Sequence, residues 1–323
     1  MTSWQMIPSE ASLQAKRQQL IAIAESKEFY LANEWLLAIQ QVKDLMTLDA
    51  LTVAVMNNDV YAIQRAFSPE VVQLRLKGFK DAMTNHYATS GVQIAKNITV
   101  SGVYFNQVNP RLAGIVNNWT NTLITNETQA TIQGIGAELS KATLRGVNPL
   151  QSARAIRGSI GLTPQQVKAV QNYEAKLRAG ESVTSYKLRD KRLTKKVLKE
   201  DDIIKRVERY RQKQLKYRAE TIARTEALRM TNMANQHIYD NAIEEGSIGA
   251  NDYRKYWVPR RDNKTRDAHL TLPSMNREGR AINEPFISTL GRIMYPHDPT
   301  ASAGNTINCR CVIIYALQTS AFV

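Results

Sequence analysis

Four side chains near the end of the sequence carry the right atoms for metal chemistry. His269, His297, Cys309 and Cys311 offer the imidazole nitrogens and thiolate sulfurs that zinc takes as ligands. Only Arg310 separates the two cysteines, whereas paired zinc-binding cysteines usually leave two or more residues between them. Two thiols packed into a core are the plainer reading, so no metal or other cofactor is expected, and zinc on those four residues is the alternative. A second constellation, His269, His297, Asp298, Asn305 and Asn308, has the histidines and carboxylate with which a divalent ion could hydrolyse a phosphodiester. It lacks a clustered pair of acids beside a histidine in a strand-turn-helix context, so a metal-dependent nuclease in this region is the runner-up reading. Arg224 and Glu226 share a helical stretch with Ile222, Ala223, Ala227 and Met230, which suits a buried polar linchpin better than a catalytic glutamate. Asp262, Arg266 and His269, spaced by four and three, should gather at one turn and short helix. There Asp262 caps and Arg266 bridges to a carboxylate such as Asp298. Gly134-Ile135-Gly136 lacks a third glycine and lies in a helical pattern, so it is no phosphate loop. No residue is expected to be catalytic, and the chain is not expected to be an enzyme.

Charge points to a different kind of function. The net charge of +14 is concentrated in one stretch, residues 187–218, which carries fourteen Lys/Arg against five Asp/Glu. Lys187, Arg189, Lys191, Arg192, Lys195, Lys196, Lys199, Lys205, Arg206, Arg209, Arg211, Lys213, Lys216 and Arg218 could lie along duplex phosphates, giving affinity without reading sequence. Tyr186, Tyr210 and Tyr217 could add contacts. Interleaved Leu, Ile and Val show that part of the stretch packs, and Glu200, Asp201 and Asp202 interrupt it.

The elements that position these residues are mostly helical. Hydrophobic content of 43% and charged content of 22% are those of a folded chain. No apolar run approaches the roughly 20 residues that span a bilayer, so no membrane anchor is expected. The opening residues carry no charged and apolar leader pattern, which implies assembly in cytoplasm with reduced thiols. Apolar spacing over Ala11–Met46 predicts one or two amphipathic helices. Ser68-Pro69-Glu70 opens a helix to about Tyr87, Asn109-Pro110 one to Arg145, Asn148-Pro149 another, and Thr163-Pro164 one to about Arg178. A long helix is expected over Tyr217–Glu245. Ile98–Phe105 has strand composition broken by Gly102. After Gly249 a compact α+β module follows, with strands at Tyr253–Val258 and Asn308–Leu317 and a short helix at Thr265–Leu270. The fold class is therefore a mainly α N-terminal and central region with a small α+β C-terminal module. The segments are 1–145, helical; 146–249, helical with the basic stretch; and 250–323, the module.

Three sets of residues together resemble the phage Mu F-like head morphogenesis family, the minor head proteins of tailed bacteriophages. The first is Gly146-Val147-Asn148-Pro149 with Ala153-Arg154-Ala155-Ile156-Arg157 and Ile160-Gly161-Leu162-Thr163. The second is Ile222-Ala223-Arg224-Thr225-Glu226 with Asn232 and Asn235. The third is Trp257, Asp262, Arg266, His269, Pro285-Phe286, Gly291, Tyr295-Pro296, Asp298-Pro299 and Asn308-Cys309-Arg310-Cys311. The resemblance covers about residues 146–316 and assigns Arg224, Glu226, Trp257, Asp262, Arg266, His269, Asn308, Cys309, Arg310 and Cys311 to a structural motif. Many relatives carry an additional Cys-x-x-Cys near the His269 position, which suggests zinc; this chain has Arg266-Asp267-Ala268-His269 there, which counts against a metal. The resemblance implies a minor capsid protein inside the virion head, near the portal, acting in DNA packaging or ejection. Its expected partners are the portal protein, the major capsid or scaffolding protein, double-stranded DNA and other copies of itself. Residues 1–145 would supply the portal or oligomer contact.

Overall fold

The computed structural model describes residues 7–145, 148–189 and 198–318. Eight helices come first: α1 (Glu10–Lys43), α2 (Leu48–Met56), α3 (Val60–Ala66), α4 (Pro69–Ala95), α5 (Pro110–Arg145), α6 (Pro149–Ser159), α7 (Pro164–Arg178) and α8 (Glu200–Glu244). Then follow β1 (Tyr253–Val258), α9 (Asp267–Met275), β2 (Arg280–Ala281), α10 (Ala303–Thr306) and β3 (Val312–Leu317). The mainly α architecture with a small α+β C-terminal part is as expected, and no described helix is long and apolar enough to cross a membrane.

Local chemistry explains the helix starts. The Asn148 side chain accepts from the backbone N–H of Leu150 and Gln151, with Pro149 at the first helical position. Thr163 and Gln166 form a reciprocal capping box, again with proline next. α8 starts where Glu200, Asp201 and Asp202 place three carboxylates in its first turn, favourable against the helix dipole. The acids that interrupt the basic run thus also open the helix, and α8 continues unbroken through Tyr217. Over Ile98–Phe105, where Gly102 breaks the strand composition, the chain forms turns and irregular structure. The Phe105 ring lies over Gly91, where no β-carbon would fit, and meets Tyr87 edge-on at 5.3 Å. Packing of one aromatic against a helix has overridden β propensity here.

The chain forms two compact units that do not follow its linear order. One draws on residues 33–80 and 121–220, the other on 1–32, 81–120 and 221–323, so α1, α4, α5 and α8 each contribute to both. In the first unit Glu127 is the buried hub: it accepts from Trp35 Nε1 at 3.3 Å and from Arg218 Nη2 at 2.7 Å, while Arg218 Nη1 donates to the Gly161 carbonyl at 2.9 Å. Gly161, at φ +81°, lies against Ile39 and Leu215, so both its backbone angle and its surroundings require glycine.

The second unit contains the sheet, in the order β2-β1-β3, antiparallel throughout, with Trp257 opposite Ile313 and Tyr253 opposite Leu317. The C-terminal half of α8 is buried all round, yet much of it is polar: Glu226, Arg229, Asn232, Asn235, Gln236, His237 and Asn241. Buried polar groups of this kind need partners, and most here have them, Asn241 Nδ2 excepted. Asn232 Nδ2 donates to the Cys311 carbonyl at 3.2 Å and its Oδ1 accepts from Ile313 N at 3.1 Å, while Asn235 Nδ2 donates to the Ile313 carbonyl at 2.8 Å. Two asparagine amides thus cover the outer edge of β3, the edge with which no strand pairs among the described residues.

Candidate functional site

Residues of the third sequence group converge on the end of β1, α9 and the loop leading into β3. Trp257, on β1, meets the His269 ring edge-on at 5.4 Å and Phe286 at 5.6 Å. Asp262 accepts from Lys264 N and Thr265 Oγ1 and pairs with Arg260 at 2.9 Å, so it closes the turn before α9 and does not cap the helix, whose N-cap position is Arg266. Arg266 does not bridge to Asp298. Its Nη2 donates to the Ile307 carbonyl at 2.8 Å, and Asp298 instead closes its own loop by accepting from Met294 N and Thr300 N, both at 2.8 Å.

Cys309, Arg310 and Cys311 precede the strand; the expected strand over Asn308–Leu317 begins only at Val312. Asn308 turns the chain at φ +57°, held by its N–H on Thr225 Oγ1 at 3.1 Å and by Arg224 Nη1 on its Oδ1 at 3.1 Å. The Cys311 N–H then donates to Cys309 Sγ at 3.4 Å, and both sulfurs face His269 Nδ1, at 3.4 and 3.5 Å. A hydrogen bond between the thiols holds Cys309 well below the usual thiol range, and burial pushes Cys311 up. The Arg310 carbonyl accepts from Arg17 Nη2 at 3.2 Å.

His297 is the fourth donor named from the sequence, and it stands apart. Its Nε2 lies 3.0 Å from the Cys309 carbonyl and its Nδ1 3.3 Å from Asn232 Nδ2. Burial lowers its pKa to about 4, so it is neutral. The five-residue nuclease constellation is likewise not assembled: among the described residues the group able to hold a metal is His269, Cys309 and Cys311, without Asp298.

Behind this loop lies a buried ionic group. Glu226 accepts from Trp119 Nε1 at 2.7 Å and pairs with Arg229 at 3.2 Å, and the Arg229 guanidinium lies 3.7 Å from the centre of the Trp119 ring. Arg229 also donates to the His297 carbonyl, which fixes a non-glycine residue at φ +66°. Sequence reasoning had Glu226 without its true partner. Arg224 instead pairs with Glu28 at 3.5 Å. An arginine three residues after Glu226 was the available signal.

A model of the family described as Phage Mu protein F like protein matches residues 128–314. The chain belongs to that family of phage head-morphogenesis proteins. No curated protein and no solved structure matches it. In this phage Mu F-like protein the match begins within α5, earlier than the resemblance about Gly146, and takes in the whole converging site. The family is one of structural virion proteins.

Within the same module Lys255 is fully buried, its Nζ donating to the Ile282 and Met294 carbonyls, each at 2.9 Å. Burial lowers its pKa from 10.5 to about 7, so between those values the unfolded chain holds a proton that the native chain does not. Stability should therefore rise with pH across that window, by on the order of a few kcal/mol. Urea unfolding at pH 7 and pH 9.5 checks this: Lys255→Met should show a much smaller rise than the unaltered chain, and equal slopes would refute it.

Proposed function

We propose that this phage Mu F-like protein is a portal-associated minor component of a tailed-phage head that binds double-stranded DNA non-specifically and acts in head assembly, DNA packaging or ejection. Portal, major capsid or scaffolding protein and further copies of the chain are its partners, inside the head near the portal, and it catalyses no reaction. Family membership supports the head role.

The observation that carries DNA binding is the exposed side of α8. Lys205, Arg209, Lys213 and Lys216 are exposed and follow at spacings of four, four and three, which sets them along one side of the helix over roughly 16 Å. Lys213 touches the Arg189 carbonyl at 3.3 Å and Lys216 approaches Glu220 at 3.9 Å, weak engagements that phosphates can replace. Lys187 and Lys199 are exposed too. Arg206 and Arg218 leave the candidate surface because both are buried, Arg218 on Glu127, and Arg211 is drawn to Glu208 at 2.6 Å. Lys191, Arg192, Lys195 and Lys196 lie outside the described residues.

Binding to random duplex should weaken steeply with salt. Changing Lys205, Arg209, Lys213 and Lys216 together to glutamine should lower the slope of log affinity against log salt by about 3.6, since each lost phosphate contact removes about 0.9. Binding that ignores salt, or a slope unchanged by the four substitutions, would remove DNA from the reading.

A further inference from the structure

We propose that His269, Cys309 and Cys311 form a zinc site in which one divalent ion joins α9 to the loop that leads into β3. His269 Nδ1 lies 3.4 Å from one sulfur and 3.5 Å from the other, and all three donor atoms fall within 4.8 Å of one another. A tetrahedral zinc with bonds of about 2.05 Å to nitrogen and about 2.3 Å to sulfur requires nitrogen-to-sulfur edges of roughly 3.6 Å. The donors already stand at that separation.

The backbone explains how a spacing that looks wrong for zinc can work. In an extended strand, residues two apart lie on one face about 6.5 Å from each other, too far for two sulfurs to share an ion comfortably. Here the left-handed turn at Asn308 and the Cys311 N–H on Cys309 Sγ curl the segment so that both sulfurs meet the same imidazole nitrogen. An N–H directed at a sulfur suits a thiolate, as the outer shell of a metal site does. All three residues are buried, and two thiolates neutralise a divalent ion, so the loaded site brings no net charge into the core. Loading releases to solvent whatever thiol proton the pair still holds. His297 is not a ligand: both its ring nitrogens are engaged elsewhere, and it braces the Cys309 carbonyl. With three protein donors among the described residues, one water completes the coordination, and the site serves to hold α9 against the loop.

The test uses the full chain. Mass-spectrometric metal analysis of protein made with zinc should give about one ion per chain, and cobalt(II) exchange should produce thiolate-to-cobalt absorption with tetrahedral ligand-field bands. Cys309→Ser and Cys311→Ser should each weaken binding at least about tenfold, and His297→Gln should retain the ion. Chelation should lower the melting midpoint by about 5 °C. Absence of the cobalt–thiolate band in the unaltered chain, a reading that needs no variant to fold, overturns the proposal. So does full occupancy in either serine variant.

Discussion

Replacing Arg229 with alanine should lower the unfolding free energy by about 3 to 5 kcal/mol, because it leaves the Glu226 carboxylate buried with no opposite charge. The Trp119 indole N–H remains on that carboxylate, but one neutral donor cannot replace a guanidinium. The loss also strips the cation from the Trp119 ring and the donor from the His297 carbonyl. Urea unfolding followed by tryptophan fluorescence gives the number. Glu226→Leu combined with Arg229→Met should recover much of it, since a well-packed apolar pair of similar volume often matches a buried ion pair. A loss under about 1 kcal/mol for Arg229→Ala would show that the group is solvated and does not act as a core element.

The second large effect is expected at Asn232. Its amide satisfies a carbonyl and an N–H on the open edge of β3, and truncation to alanine leaves both buried groups without partners. Each orphaned group costs about 1 to 3 kcal/mol, so Asn232→Ala should cost about 2 to 6 kcal/mol, and Asn235→Ala, which removes one bond, about half as much. Hydrogen exchange separates this from general loosening. The Ile313 amide should lose protection in Asn232→Ala before the β1–β3 ladder does, and Ile313 exchange unchanged from the parent chain would refute the edge-covering role.

What could be read from the sequence is what rests on neighbouring residues. Asn148-Pro149 and Thr163-Pro164 announce helix starts because cap and proline act within one turn. α2 and α3, which Thr47 and Asp59 cap, are not legible because at 9 and 7 residues each is too short for a helical period to show. β2, two residues long, carries no periodic signal at all. At the site, the motif residues were legible as a group, but their pairings were not. Glu226 chose Arg229 and Trp119, the latter 107 positions earlier, and Arg266 chose a carbonyl. Such choices are settled by which surfaces meet in three dimensions. The approach of both thiols to one imidazole was hidden for the same reason: the strand read over them starts only at Val312, and Asn308 bends the chain before it.

The amides of Asn232 and Asn235 wait on backbone made 79 and 78 positions later. As the polypeptide leaves the ribosome, at about 5 to 20 residues per second, this stretch of α8 spends several seconds with its polar groups in water and nothing to hold. Contacts so distant in sequence make folding slow, and they arrive only when β3 closes over the helix. An excised α+β piece beginning at Gly249 would lack the amides that shield its last strand, and would be prone to pair with its own copies edge to edge.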